Sequence, residues 1–177
     1  MEEKSVQVSH ENYDAETKLN LKQEVAFTII MEIINLGKNG AFFIDGPRGT
    51  GKTFLYQALF SQVRLRCLIV LATATSNLAS AILPEGRTSH SQFVLPLNLN
   101  DTDFYGFSKQ DGTTELLQET SLIIWDEAPM AKRFAIEMVD RNLRDIMDST
   151  ENFGGKVIVF GGDFRQVLPV VPHGTRA

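Results

Sequence analysis

The sequence predicts an α/β fold in which a parallel β-sheet carries helices on both faces. Three observations predict it. Four short runs are apolar at every position, as strands buried on both sides require. The segments between them repeat apolar residues every three or four positions, the helical period. The first apolar run leads through a glycine-rich turn directly into such a helical segment, the strand–turn–helix order of parallel folds.

Residues 1–17 have no apolar period and read as a flexible lead-in, which places the domain over 18–177. From Leu19 the pattern changes. Leu21, Val25, Ile29 and Ile33 recur every fourth residue, Phe27, Ile30 and Ile34 widen the stripe, and Gly37 and Gly40 end the helix. Ala41 to Ile44 is a first buried strand. Lys52 to about Arg64 is helical, with Phe54, Leu55, Ala58 and Leu59 at helical spacing. Cys67 to Leu71 is a second strand, and Ser76 to Leu83 a short helix ended by Pro84. Residues 94–114 are polar and contain glycine, as a surface loop does. Leu122 to Trp125 is a third strand. Phe134 to Met147 is a helix with Val139, Leu143 and Ile146 on one face. Val157 to Phe160 is a fourth strand, stopped by Gly161 and Gly162. Strand order is not legible in the pattern.

At 177 residues the chain has the length of one domain, and its 43% apolar and 22% charged residues are those of a globular protein. Acidic residues outnumber basic ones by 22 to 17, a net charge of −5, so any nucleic-acid contact needs a local patch rather than a global field. A single cysteine, Cys67, excludes an intrachain disulfide and a thiolate zinc cluster, and fits a reducing compartment. No apolar run approaches the roughly 18 residues that span a bilayer. The N-terminus is acidic and polar, unlike a signal or transit peptide. The expectation is an intracellular protein without a membrane partner.

Gly46-Pro47-Arg48-Gly49-Thr50-Gly51-Lys52-Thr53 matches GxxxxGK[ST] and lies between a predicted strand and a predicted helix, the context this phosphate-binding motif requires. Its glycines let successive N–H groups point at phosphate oxygens, and the helix that begins near Lys52 adds the partial positive charge of its N-terminus. Lys52 is expected to reach the β- and γ-phosphates of ATP, and Thr53 to ligate Mg²⁺. Asp126 and Glu127 follow the third strand, so the strand delivers two carboxylates to the sheet edge where ligands bind in open α/β folds. Asp126 is expected to hold Mg²⁺ through water, and Glu127 to activate the attacking water. Gln166, just past the fourth strand, either senses the γ-phosphate or caps a turn.

The segments GPRGTGKT (46–53), LATATSNLASAILPEGRTSHSQF (71–93), SLIIWDEAPM (121–130) and FGGKVIVFGGDFRQVLPVVP (153–172) together resemble the Pif-type branch of superfamily-one DNA helicases, in its Helitron-like form. The resemblance runs from about Leu19 to Pro172 and implies a RecA-like domain. It implies that Gln23 reads adenine and that Gln166 is the γ-phosphate sensor. It further implies that Thr73, Thr75 and Ser76 contact the phosphates of single-stranded DNA, with Thr88 and His90 near that strand. Read alone, Thr73 to Ser76 is a polar strand end and a helix N-cap. Residues from about Arg133 to Gly155 occupy the family's signature region, helical and near the DNA path.

The activity implied is an ATP-dependent 5′-to-3′ DNA helicase, nuclear, with roles in recombination, repair and telomere maintenance. Two departures from the family pattern stand out: Arg48 where relatives carry Gly or Ala, and Asn152 where Pro is common. The family engine has two RecA-like domains, and the chain covers the first. Nothing in the sequence replaces the arginine finger of the second, Arg176 included. On its own the chain is therefore expected to bind ATP, bind DNA weakly and unwind nothing. The alternatives are a nucleotide-binding fragment without turnover and another P-loop ATPase, such as an AAA-type ATPase or a small-molecule kinase.

Overall fold

A computed structural model of the chain describes residues 18–47, 49–96 and 112–166. The lead-in 1–17, Arg48, residues 97–111 of the expected loop, and 167–177 with Arg176 lie outside the described residues.

The first helix, α1 (Leu21–Asn35), opens on a capping box. Asn20 Oδ1 accepts from the Lys22 and Gln23 N–H groups, and Gln23 Oε1 accepts from the Asn20 N–H at 2.9 Å. Strand β1 (Gly40–Asp45) follows, then α2 (Lys52–Leu65) and β2 (Ile69–Ala74). A four-residue helix α3 (Asn77–Ser80), a two-residue strand β3 (Arg87–Thr88) and another single turn α4 (Ser89–Gln92) lead to the 97–111 segment. Helix α5 (Gly112–Glu119) runs into β4 (Thr120–Asp126). Helix α6 (Arg133–Met147) and β5 (Val157–Gly162) complete the order, and 3₁₀ turns cover Ala128–Met130, Asn152–Gly155 and Phe164–Gln166.

Among the described residues five strands form one sheet in the order β1-β5-β4-β2-β3, every pairing parallel. Both faces are apolar because alternate residues point to opposite sides. Val70, Ala72, Leu122, Ile124, Val157 and Val159 pack under α1 and α2. Ile69, Leu71, Ile123, Trp125 and Ile158 pack under α5 and α6. This is the predicted α/β architecture with helices on both faces.

Five details depart from the sequence reading. The α1 stripe that recurs every fourth residue is not the core face: Leu21 is 76% exposed, Val25 53% and Ile29 47%, while Phe27, Ile30, Met31 and Ile34 are buried. The helix is apolar on two sides, and the sheet takes the second. β2 starts at Ile69 rather than Cys67, because Cys67 sits in the left-handed region (φ 56°) of the turn after α2. β5 does not stop before Gly161 and Gly162. Both pair with β1, through Ile44 and Asp45. Finally, the loop assigned to 94–114 gives way to α5 at Gly112, and β3 is a fifth strand, too short to leave an apolar run.

Candidate active site

Strand order decides which segments meet. β1, β5 and β4 are consecutive in the sheet and parallel, so their C-terminal ends lie side by side. These ends carry Gly46–Thr53, Asp163–Gln166 and Asp126–Glu127. Lys52, Thr53, Asp126, Glu127 and Gln166 accordingly line one cleft of about 440 Å³, with Pro47, Gly49 and Gly51 on its phosphate-loop wall. Phe54, Leu78, Ile82 and Met130 add an apolar wall that the sequence reading did not assign.

The phosphate loop is pinned on three sides. The Gly46 N–H donates to the Gly162 carbonyl at 3.0 Å, tying the loop to β5. The Thr50 hydroxyl donates to the Pro47 carbonyl at 2.8 Å. The Gln23 amide donates to the Thr50 and Gly51 carbonyls at 3.1 and 3.0 Å. Gly51 caps α2 in the left-handed region (φ 80°), and a Cβ there would sit 2.6 Å from Gln23 Nε2. The left-handed conformation calls for glycine, and a larger residue would also displace the Gln23 amide. Among the described residues no side chain caps the first turn of α2, and Gly51, Lys52 and Thr53 line the cleft, so this N-terminal end is available to an anion. The Lys52 ammonium donates to the Gly46 and Pro47 carbonyls of the loop itself.

Gln23 also lines a second cavity on the other side of the loop, with Phe43, Asp45 and Lys52. Its carbonyl oxygen closes the α1 capping box and its NH₂ group binds the loop, so in this geometry it is a brace between helix and phosphate site.

At the end of β4, Asp126 Oδ1 accepts from the Tyr56 hydroxyl at 3.3 Å. Tyr56 is wholly buried. Desolvation pushes its hydroxyl above the ordinary tyrosine range, and the Asp126 charge and hydrogen bond push the same way, so it remains a neutral donor. Glu127 occupies the left-handed region (φ 55°), uncommon for a residue with a side chain. Its carboxylate accepts from the Ser76 hydroxyl at 2.5 Å and its carbonyl from the Thr75 hydroxyl at 2.9 Å.

Beyond β5, Asp163 organises the turn that presents Gln166. Its carboxylate accepts from the Arg165 N–H at 3.0 Å and the Arg165 guanidinium at 3.2 Å. Desolvation works to raise the Asp163 carboxyl, but these bonds, the Arg165 charge and a bond from the Gln166 side chain outweigh it and hold the group below the usual carboxylate range. Neither Tyr56 nor Asp163 was singled out from the sequence. Asp163 had a signal, a carboxylate directly after a Gly-Gly strand end. Tyr56 had none, being one apolar position among several on α2.

The donors present fit Mg²⁺. Among the described residues no group of three or more His, Cys, Asp or Glu side chains could cage a metal. A hydroxyl (Thr53) and a carboxylate (Asp126) share the cleft instead, the sparse oxygen set on which Mg²⁺ keeps its waters and takes phosphate oxygens.

The residues expected near DNA divide. Thr73 is fully buried and its hydroxyl donates to the Arg87 carbonyl at 3.0 Å, so it has no surface to offer a strand. It is a brace between β2 and β3. Thr75 and Ser76 are half-buried at the end of β2, and Ser76 is the N-cap of α3, accepting from the Ala79 N–H. Thr88 caps α4 through the Ser91 N–H, and His90 lies within that turn, both half-buried. The Arg133–Gly155 region is helical through Met147. Asn152 accepts from Arg144 at 2.6 Å, so its side chain anchors the turn that follows α6.

A family model described as PIF1-like helicase matches residues 18–177. The ATP-dependent DNA helicase Pif1 of Psychrobacter sp. (strain PRwf-1) is 30% identical over 146 residues, covering 81% of this chain and 22% of that protein. The Campylobacter jejuni protein of the same name is 33% identical over 136 residues, covering 73% and 29%. Among solved structures, unliganded Pif1 from Bacteroides sp. superposes with a TM-score of 0.69 at 29% identity, over 88% of this chain and 34% of that one. The Bacteroides Pif1 helicase in complex with ADP-AlF3 and single-stranded DNA gives 0.67 at 28% identity, over 84% and 34%. The chain thus spans about a fifth to a third of the length of these relatives.

Proposed function

The chain belongs to the PIF1-like helicase family, and from that premise we propose that it is the nucleotide-binding and nucleotide-hydrolysing RecA-like domain of an ATP-dependent DNA helicase. The observation that carries the reading is the meeting of Lys52, Thr53, Asp126, Glu127 and Gln166 in one cleft at three adjacent strand ends.

The chemistry assigned to each follows from position. The N–H groups of the phosphate loop and the first turn of α2 hold the phosphates. Lys52 exchanges its contacts with the Gly46 and Pro47 carbonyls for the β- and γ-phosphates, which carry full charge and so attract it more strongly. Thr53 and Asp126 hold Mg²⁺, which when bound neutralises charge on the phosphate oxygens. Tyr56 keeps Asp126 oriented. Glu127 accepts the proton of the attacking water. Gln166, on the turn set by Asp163, meets the γ-phosphate.

A DNA strand is assigned to the outer part of the sheet edge, across Thr75, Ser76, Thr88 and His90. The support is the single-stranded DNA bound by the similar Bacteroides helicase, together with the partial exposure of these four residues. The finer reading is translocation in the 5′-to-3′ direction and work in recombination, repair and telomere maintenance in a nucleus. It rests on the resemblance of the motifs.

The test is ATP turnover by the purified chain with and without single-stranded DNA, beside a strand-separation assay. Slow turnover that rises with the DNA is expected, with no strand separation by the chain on its own. Turnover indifferent to DNA and dependent on a small phosphoryl acceptor would replace the helicase reading with a kinase.

A further inference from the structure

We propose that Ser76 is the positioning residue of Glu127, and that its hydroxyl couples a DNA strand on the β2–α3 loop to the hydrolytic base. The inference rests on the reading above, which makes Glu127 the base and this loop a DNA contact.

The ends of β2 and β4 are stitched together by four hydrogen bonds. Ser76 Oγ donates to Glu127 Oε2 at 2.5 Å, and Thr75 Oγ1 donates to the Glu127 carbonyl at 2.9 Å. The Thr75 N–H donates to the Asp126 carbonyl at 3.2 Å, and Trp125 Nε1 donates to Thr75 Oγ1 at 3.2 Å. Three consecutive residues of β4 and its end, Trp125 to Glu127, are thereby bound to two consecutive residues of the loop. The Glu127 backbone is in the left-handed region, a conformation that surrounding contacts such as these must support.

A serine hydroxyl has a single proton to give. In this structure Glu127 receives it, while the Ser76 oxygen accepts from the Ala79 N–H at 3.2 Å. A phosphate oxygen arriving at Ser76 competes for that one proton with the Glu127 carboxylate. When the phosphate takes it, Glu127 loses the charge-assisted bond that ties it to the β2–α3 loop, and its carboxylate shifts within the cleft it already lines. No new contact between DNA and nucleotide is needed. One hydroxyl serves two acceptors in turn.

The sequence contains one tryptophan, Trp125, and its indole N–H is bound to Thr75 beside Ser76, so emission comes from a single site at this link. The experiment compares the parent chain with Ser76→Gly and Ser76→Thr. Glycine is nearly as good a helix cap as serine, so Ser76→Gly removes the hydroxyl with little cost to α3. Threonine restores the hydroxyl. Binding of a labelled oligodeoxythymidine is followed by anisotropy without nucleotide, then Trp125 emission and ATP turnover are measured with and without saturating oligonucleotide.

In the parent and in Ser76→Thr, the oligonucleotide is expected to change Trp125 emission and raise turnover. In Ser76→Gly, turnover without DNA is expected to reach the parent's DNA-stimulated rate, with a stimulation ratio near one and unchanged nucleotide affinity. A Ser76→Gly protein whose DNA-free turnover stays at or below the parent's, or whose stimulation ratio is retained, overturns the coupling. So does oligonucleotide binding to the parent without any change in Trp125 emission. Absence of oligonucleotide binding by the parent, read from anisotropy alone, overturns the DNA reading itself and the coupling with it.

Discussion

The Tyr56 hydroxyl reaches Asp126 Oδ1 at 3.3 Å through the space that Gly161 leaves empty. A Cβ at position 161 would lie 1.7 Å from that hydroxyl and 2.9 Å from Asp126 Oδ1. Three elements, α2, β4 and β5, thus share one contact point, and the carboxylate assigned to Mg²⁺ is braced by a buried hydroxyl that does not itself line the cleft.

Gly161→Ala forces Tyr56 or β5 to move. Overpacking of this kind costs about 1–3 kcal/mol. A lower denaturation midpoint is expected, partly restored in the double variant Gly161→Ala, Tyr56→Phe, which removes the clashing oxygen. If the single variant melts with the parent, the close approach is not a constraint in solution.

Gln23→Ala removes one half of the α1 capping box and both bonds to the phosphate loop. Loss of the cap and its hydrogen bonds should destabilise the chain by about 1 kcal/mol. Because the amide braces the loop rather than facing a base, affinities for ATP and GTP should fall by the same factor. Calorimetric titration with both nucleotides checks this; a loss confined to ATP would make Gln23 an adenine reader after all.

Lys52→Ala removes a half-buried ammonium whose partners here are loop carbonyls. Its lost bonds to phosphate are worth roughly 10- to 100-fold in Mg-ATP affinity, at the usual strength of hydrogen bonds to charged groups. The thermal midpoint should change little, since no core contact is lost. Fluorescent-nucleotide titration and a thermal melt measure the two effects separately.

Glu127→Gln keeps an oxygen that can accept from Ser76, so the link between β2 and β4 survives the change. The amide cannot take a proton from water. Nucleotide affinity should be retained while turnover falls by about 10²–10⁴, the usual contribution of a general base. Single-turnover hydrolysis assays decide it, and an unaltered rate moves the base role to another group.

The sequence was most legible where residue type is dictated by chemistry. The glycines and Lys52 of the phosphate loop, the carboxylates after an apolar strand and the Ser76 cap all appear where their chemistry requires them. Legibility failed where two physical answers share one pattern. Helix α1 is apolar on adjacent faces, so spacing alone could not say that Leu21, Val25 and Ile29 would remain outside. Helix α5 buries only Thr114 and Leu117, too few to mark a period. Gly161 and Gly162 read as a stop, yet they continue β5 because Tyr56 and Pro129 fill the space their side chains would need. Gln23 and Thr73 were recognisable as polar residues of the right motifs. Which partner each satisfies depends on contacts with residues far along the chain, and those follow only from the folded sheet.

The strand order has a thermodynamic consequence. Residues 46–53, 126–127 and 163–166 all become neighbours only when β5 lies between β1 and β4, so an unfolded or half-folded chain does not hold the complete cleft. Nucleotide that binds the finished site and not its fragments acts as a folding ligand. At a concentration 100 times its dissociation constant it adds about 2.7 kcal/mol to the stability of the whole sheet. Insertion of a central strand between two partners distant in sequence is also a late, non-local event. ATP should therefore slow unfolding more than it speeds folding.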